Sequence, residues 1–314
     1  MSGTQKCQIL KIWHFLTVQQ IISTVIGQLE KLIYLYSTVR NPEVPDFKNL
    51  ALLDRPANHK YSYMSTTKNK LQKLLPEHTF HIYNRGINGQ LVFFQEKNYP
   101  FFLKKYASYT KDYLDTYAYC LLPNHFHILA NVHSVNTIIT AASANYKTLP
   151  KALQKEIVSK ELCQRKDLPD FQNLADLSNY SNLTFKQNLL REFIATWLVS
   201  NQFRKFFGSY AKAINKQEDR NGSLFQKPFK RKLVDSKEYL EWLIWYLHRN
   251  PIHHKMTLDY KNYSHSSYQS LFSNMPTLLK RQEVLDAFGG KNKFEVFHEQ
   301  AASDWDDLGK YTLE

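Results

Sequence analysis

The sequence predicts an α+β fold: an antiparallel sheet covered by helices, with a helical insertion and a helical C-terminal part. Three observations lead there. Residues 79–132 switch between a two-residue and a helical apolar period, in the order strand, helix, strand, strand. The last two of these segments, 115–122 and 125–132, are separated only by Pro123-Asn124, which leaves room for a tight turn and an antiparallel pair but no crossover. Long helical patterns then return over 184–217 and 236–249.

The elements follow in order. Residues 9–36 read as an amphipathic helix, and Pro42, Pro45 and Pro56 mark a loop-like stretch after it. Met64-Ser-Thr-Thr-Lys reads as a fresh start, so the expectation is that Met64 is the initiator and that residues 1–63 are an extension apart from the functional domain. Phe80 and Ile82 alternate with His81 and Tyr83 as a strand, and Asn84-Arg85-Gly86 follows as a turn. Tyr99, Phe102, Leu103 and Tyr106 recur at helical spacing within 96–110. The order strand, helix and paired strands suggests a sheet covered by helices on one face; after it, residues 133–182 lose periodicity and read as an insertion of short helices and loops. Phe185, Leu189, Phe193, Trp197, Phe203 and Phe207 define the long helix, and Asp219-Arg-Asn-Gly222 a turn. Ser236 is an N-cap with Glu238 close behind, and the helix it opens is expected to stop before Pro251, because the residue preceding a proline is pushed out of helical geometry. Residues 284–290 and 294–298 read as small helices of a tail, so the domains are 1–63, 64–275 and 276–314.

The chain has 314 residues, enough for a sizeable core, and a net charge of +13, which favours a polyanionic partner. Cys7, Cys120 and Cys163 are far apart, form no zinc or disulfide pattern, and fit a reducing cytoplasm. Cys120 reads as a small core residue. Charged and amide residues interrupt 9–36 well short of the ~18 apolar residues that a membrane span needs, so no membrane association is expected. No P-loop and no HExxH are present, which disfavours P-loop nucleotide hydrolysis and zincin chemistry.

His125-Phe126-His127 is the first candidate for chemistry. In a strand, residues two apart share a face, so both imidazoles project together and Phe126 turns into the core. Two such rings are able to hold one divalent ion, although a His-x-His strand is more often plain sheet surface. Tyr246 and Asn250 lie four apart on one helix face, about 6 Å from each other. Each has a bland reading: Tyr246 is one of 20 tyrosines and packs beside Trp242 and Trp245, and Asn250 simply ends a helix. Together with the histidines they point to phosphodiester chemistry with tyrosine as nucleophile. The third candidate is a one-sided basic run, Arg204, Lys205, Lys212, Lys227, Lys230, Arg231 and Lys232, to which Arg85 is added from the first turn. Phe206, Phe207, Tyr210, Phe225 and Phe229 are interleaved with it, a pattern suited to phosphates and stacked bases if it is not a solvated helix face with core aromatics.

In combination and order, these residues resemble the REP-associated tyrosine transposases, a branch of the single-tyrosine HUH transposases of the insertion-sequence-200 type. The matching stretches are His81-Ile-Tyr-Asn-Arg-Gly86, Val92-Phe-Phe94, Tyr119-Cys-Leu-Leu-Pro-Asn-His-Phe-His127, Gly222-Ser-Leu-Phe-Gln-Lys-Pro-Phe-Lys230, Tyr246-Leu-His-Arg-Asn-Pro251 and Ser266-Ser-Tyr268. The resemblance implies a ferredoxin-like sheet, a divalent cation (Mg2+ or Mn2+) on His125, His127 and Asn250, and Tyr246 as the nucleophile that forms a 5′-phosphotyrosine. It implies a partner that is single-stranded or hairpin DNA, and a monomer or homodimer. Residues 1–63 and the long 133–182 segment depart from the pattern. Competing readings are a non-catalytic structured-nucleic-acid-binding protein derived from a transposase, and a metal-dependent hydrolase in which Tyr246 is structural.

Overall fold

A computed structural model describes residues 72–144, 148–159 and 185–300, and the structural statements below concern those residues. They fall in the second of two units into which the chain divides, Ser65–Glu314. The helix expected over 9–36, the start at Met64 and residues 160–182 of the expected insertion lie outside the described residues.

Strand β1 (Thr79–Arg85) leads through helix α1 (Asn98–Thr110) to the hairpin of β2 (Leu114–Leu122) and β3 (His125–Val132). Helices α2 (Val135–Ser143), α3 (Lys151–Ser159) and α4 (Phe185–Gln217) follow, then β4 (Lys230–Val234) and α5 (Lys237–His253). The short helix α6 (Tyr268–Phe272) follows, and α7 (Arg281–Ala287) and α8 (Lys291–Gln300) lie in the tail. The strands are ordered β2-β3-β1-β4 and every neighbouring pair is antiparallel. This is the βαββαβ ferredoxin-like arrangement, and the fold class is α+β.

Alternation along the strands sorts side chains onto two faces. Phe80, Ile82, Leu121, Phe126, Ile128, Ala130 and Val132 face a core with Phe102, Ile138, Leu153, Leu198, Phe203, Phe206 and Tyr210, contributed by α1 to α4. Ala118, Cys120, Leu122 and Leu129 face a second core with Trp242, Leu243, Leu247, Tyr268, Val284 and Phe294, contributed by α5 to α8. Helices therefore cover both faces, not one. The reason lies in the strands themselves: Cys120-Leu-Leu122 and Ile128-Leu-Ala130 are apolar without alternation, and both sides need burial. Cys120 is a wholly buried free thiol, and burial pushes its pKa up.

One further expectation is corrected, and one strand is added. Helix α5 opens at Ser236, whose hydroxyl accepts the Tyr239 N–H at 3.1 Å, but it runs through Pro251 to His253. Proline this late forfeits only its own N–H bond, and the turn is closed by His254 N–H on the Asn250 carbonyl at 3.0 Å. Strand β4 was not anticipated, because Lys230-Arg-Lys has no apolar alternation; it forms by pairing its edge with β1. Among the described residues no helix is long and apolar enough to cross a membrane.

Candidate active site

The β2–β3 turn sets the position of the histidine pair. Pro123 carbonyl oxygen accepts the N–H groups of Val92 and Phe93 at 2.7 and 3.0 Å, and Asn124 carbonyl oxygen accepts the Gly86 N–H at 2.8 Å. Gly86 is sterically required: a Cβ there would meet the Gln90 carbonyl oxygen at 1.9 Å. His125 and His127 then follow on the face that α5 covers, in register with Arg85 and Tyr83 of β1 and with Leu122 and Cys120 of β2. Their ring centroids are 5.2 Å apart and nearly perpendicular, at 85°. Both are buried, at 8 and 2% exposure.

Helix α5 lies along this row. Tyr246 sets its ring edge-on to His127 at 5.9 Å, and His254 meets His125 at 4.6 Å. Residues 246, 250 and 254 recur at one-turn intervals, so Asn250 sits between those two contacts on the same helix face. Tyr246 is half-buried, stacked between Trp242 at 5.2 Å and His253 at 5.7 Å. Its bland reading as a packing residue is thus partly right, yet the same ring borders the histidines.

Asn250 is fully buried and both polar atoms of its carboxamide lack a hydrogen-bond partner, as does the buried Nε2 of His127. Native interiors rarely leave such groups unmatched. Burial, helped by His81, His125, His254 and Lys230, holds the His127 pKa well below its usual value, so the ring is neutral. His81 is wholly buried on β1, and its pKa is pushed down to about 3 by burial and then by Lys232. Among the described residues no three His, Cys, Asp or Glu side chains group to hold a metal ion. Two imidazoles and an amide oxygen nevertheless fit a divalent cation whose remaining positions go to substrate or solvent oxygens.

The basic run splits. Arg85, Lys230 and Lys232 share the histidine face: Lys230 pairs with Tyr83 and Lys232 with His81 across the sheet, with Lys230 lying 5.4 Å from the Tyr83 ring. Arg204, Lys205 and Lys212 are on α4, which packs on the opposite face, and Lys227 is in the exposed loop before β4. Arg231 points to that opposite face as well, with its guanidinium over Phe229 at 4.6 Å and Nε bonded to the Gln72 carbonyl. The interleaved aromatics do not await bases: Phe206, Tyr210 and Phe225 are core, and Phe207 and Phe229 pack against it. For Phe206, Phe207 and Tyr210, alternate burial along the amphipathic helix α4 produces a pattern that mimics a stacking surface.

Sequence reasoning gave no role to His81, Asn124 or His254. His254 was detectable, since it continues the i, i+4 series from Tyr246. His81 was not, because strand register is a tertiary property.

No protein-family model and no curated protein matches the chain. Among solved structures, that of the REP-associated tyrosine transposase bound to a REP hairpin is similar over 68% of this chain and 90% of that one, at 9% identity and a TM-score of 0.39.

Proposed function

We propose that the chain is a metal-assisted tyrosine transposase that cleaves and rejoins single-stranded, hairpin-containing DNA through a 5′-phosphotyrosine on Tyr246. One observation carries the reading: the Tyr246 ring borders His127 while, one turn on, Asn250 keeps a buried carboxamide with no partner. A core-packing tyrosine accounts for the first half of that observation but not the second.

His125, His127 and Asn250 would hold the cation, Mg2+ or Mn2+. When bound, it supplies charge stabilisation to the scissile phosphate. Tyr246 is held by Trp242 and His253 so that its phenol stays beside the histidine pair. The phenol oxygen loses its proton and forms a bond to phosphorus, the bond from phosphorus to the 3′ oxygen breaks, and that oxygen takes up a proton to leave as a 3′ hydroxyl. The free 3′ hydroxyl later reverses the attack, so rejoining needs no external energy source. Tyr83, Lys230 and Arg85 on the same sheet face suit an unpaired strand, with a ring for stacking and cations for phosphates.

The test is incubation of wild type and Tyr246→Phe with labelled hairpin oligonucleotides and Mn2+. Wild type should form a covalent adduct that survives denaturing electrophoresis, and the variant should bind without forming one. Equal adduct yields would reject the assignment. Binding without adduct in both would favour the non-catalytic binder.

A further inference from the structure

Each histidine of the pair has a different partner on its second ring nitrogen. His125 Nδ1 is 2.7 Å from the Asn124 Oδ1, an atom that only accepts, so His125 carries its proton on Nδ1. The Asn124 amide is oriented by its other end, where Nδ2 donates toward the Gly89 carbonyl at 3.5 Å. His127 Nδ1 is 2.9 Å from His81 Nε2, and either nitrogen is able to donate. The two rings are near-coplanar, at 13°, with centroids 5.1 Å apart, as expected for imidazoles joined edge to edge by an in-plane bond.

Resting on the metal-site reading, we propose that His81 is a positioning residue: it accepts the Nδ1–H of His127 and so turns the Nε2 lone pair of His127 toward the cation, as Asn124 does for His125. The reverse bond, with His81 donating, puts the His127 proton on Nε2 and blocks that position. In the absence of an ion the two arrangements are balanced. Both leave one donor and one acceptor without partners, on His81 Nδ1 and His127 Nε2. An ion at His127 Nε2 is compatible with only one of them. His81 is therefore a partner of unusual kind, since ligating histidines more often donate to a carboxylate or a carbonyl. A neutral ring binds the proton less firmly and allows it to shift when the ion leaves. His81 is fixed in the role by packing, because it is wholly buried and lies against Tyr83 at 4.6 Å.

The experiment compares wild type, His81→Phe and His81→Gln. Phenylalanine fills the space without an acceptor, and glutamine restores one. Mn2+ affinity, read from the electron spin resonance of free ion, should fall about 10–100-fold in His81→Phe and recover largely in His81→Gln. In parallel, nitrogen-15 spectra of histidine-labelled wild type loaded with diamagnetic Zn2+ should show His127 protonated on Nδ1, with its signals assigned by their loss in His127→Asn. This second reading does not depend on the His81 variants folding. Undiminished Mn2+ binding by His81→Phe, or a loaded His127 protonated on Nε2, would overturn the role of His81 while leaving the metal site standing. Wild type that binds neither ion would overturn the metal site, and the role of His81 with it.

Discussion

Asn250 lies at zero exposure with neither end of its carboxamide matched. A buried amide in that state costs about 1–3 kcal/mol of folding free energy. Leucine has a similar volume and no polar atoms. We expect Asn250→Leu in the presence of chelator to be more stable than wild type by about 1–3 kcal/mol in urea unfolding, and to lose DNA cleavage. A less stable variant that still cleaves would show that the amide serves packing alone. The sequence made Asn250 a candidate through its spacing from Tyr246, since a helical period is a local property. It did not reveal that the amide is buried between β3 and α5, nor that His81 reaches His127, because both depend on how distant segments dock. Asn124 shows a middle case: it was read as a turn residue, and its side chain is also the partner of the next residue's ring.

Helices and strands divide the cations by face. Arg85 and Lys230 lie on the histidine face of β1 and β4, whereas Arg204, Lys205 and Lys212 lie on α4 across the sheet. Each phosphate neutralised on single-stranded DNA contributes roughly 0.7 to the slope of log affinity against log salt. Arg85→Ala with Lys230→Ala should therefore reduce that slope by about 1.4, while the triple alanine variant of α4 leaves it unchanged, in fluorescence anisotropy across a salt series. The opposite outcome would move the DNA to the α4 side. Elements with strong local periods, such as α1, the β2–β3 hairpin and α4, were legible before the structure. Strand β4 was not, since Lys230, Arg231 and Lys232 become a strand only by pairing with β1. The end of α5 was misplaced because the proline rule states a local preference that the packing of buried Pro251 overrides.

Across the whole molecule, two buried imidazole pairs set the acid limit of stability. His81 is joined to His127, and His248 to His298 at 3.0 Å between the tail and α5. Burial lowers all four pKa values, those of His81 and His298 to about 3. Below the ordinary value of 6.5 the unfolded chain binds protons that the folded rings refuse. The stability these rings contribute is thus complete above pH 6.5 and is lost as pH falls toward 3, at up to about 1.4 kcal/mol per pH unit for each ring. Urea midpoints should decline steeply from pH 6.5 to 5, and a flat profile would mean that these rings become charged without unfolding. The central claim, that Tyr246 is the nucleophile of a metal-assisted strand transferase, is tested most directly by locating the covalent bond. Wild type should be incubated with hairpin DNA and Mn2+, digested with nuclease and trypsin, and its peptides sequenced by mass spectrometry. Residues Glu238–Arg249 form one tryptic peptide that holds both Tyr239 and Tyr246. The prediction is a nucleotide phosphate on Tyr246, dependent on the metal and absent from Tyr239. A nucleotide on any other residue, or none on any peptide while DNA is cut, would contradict it.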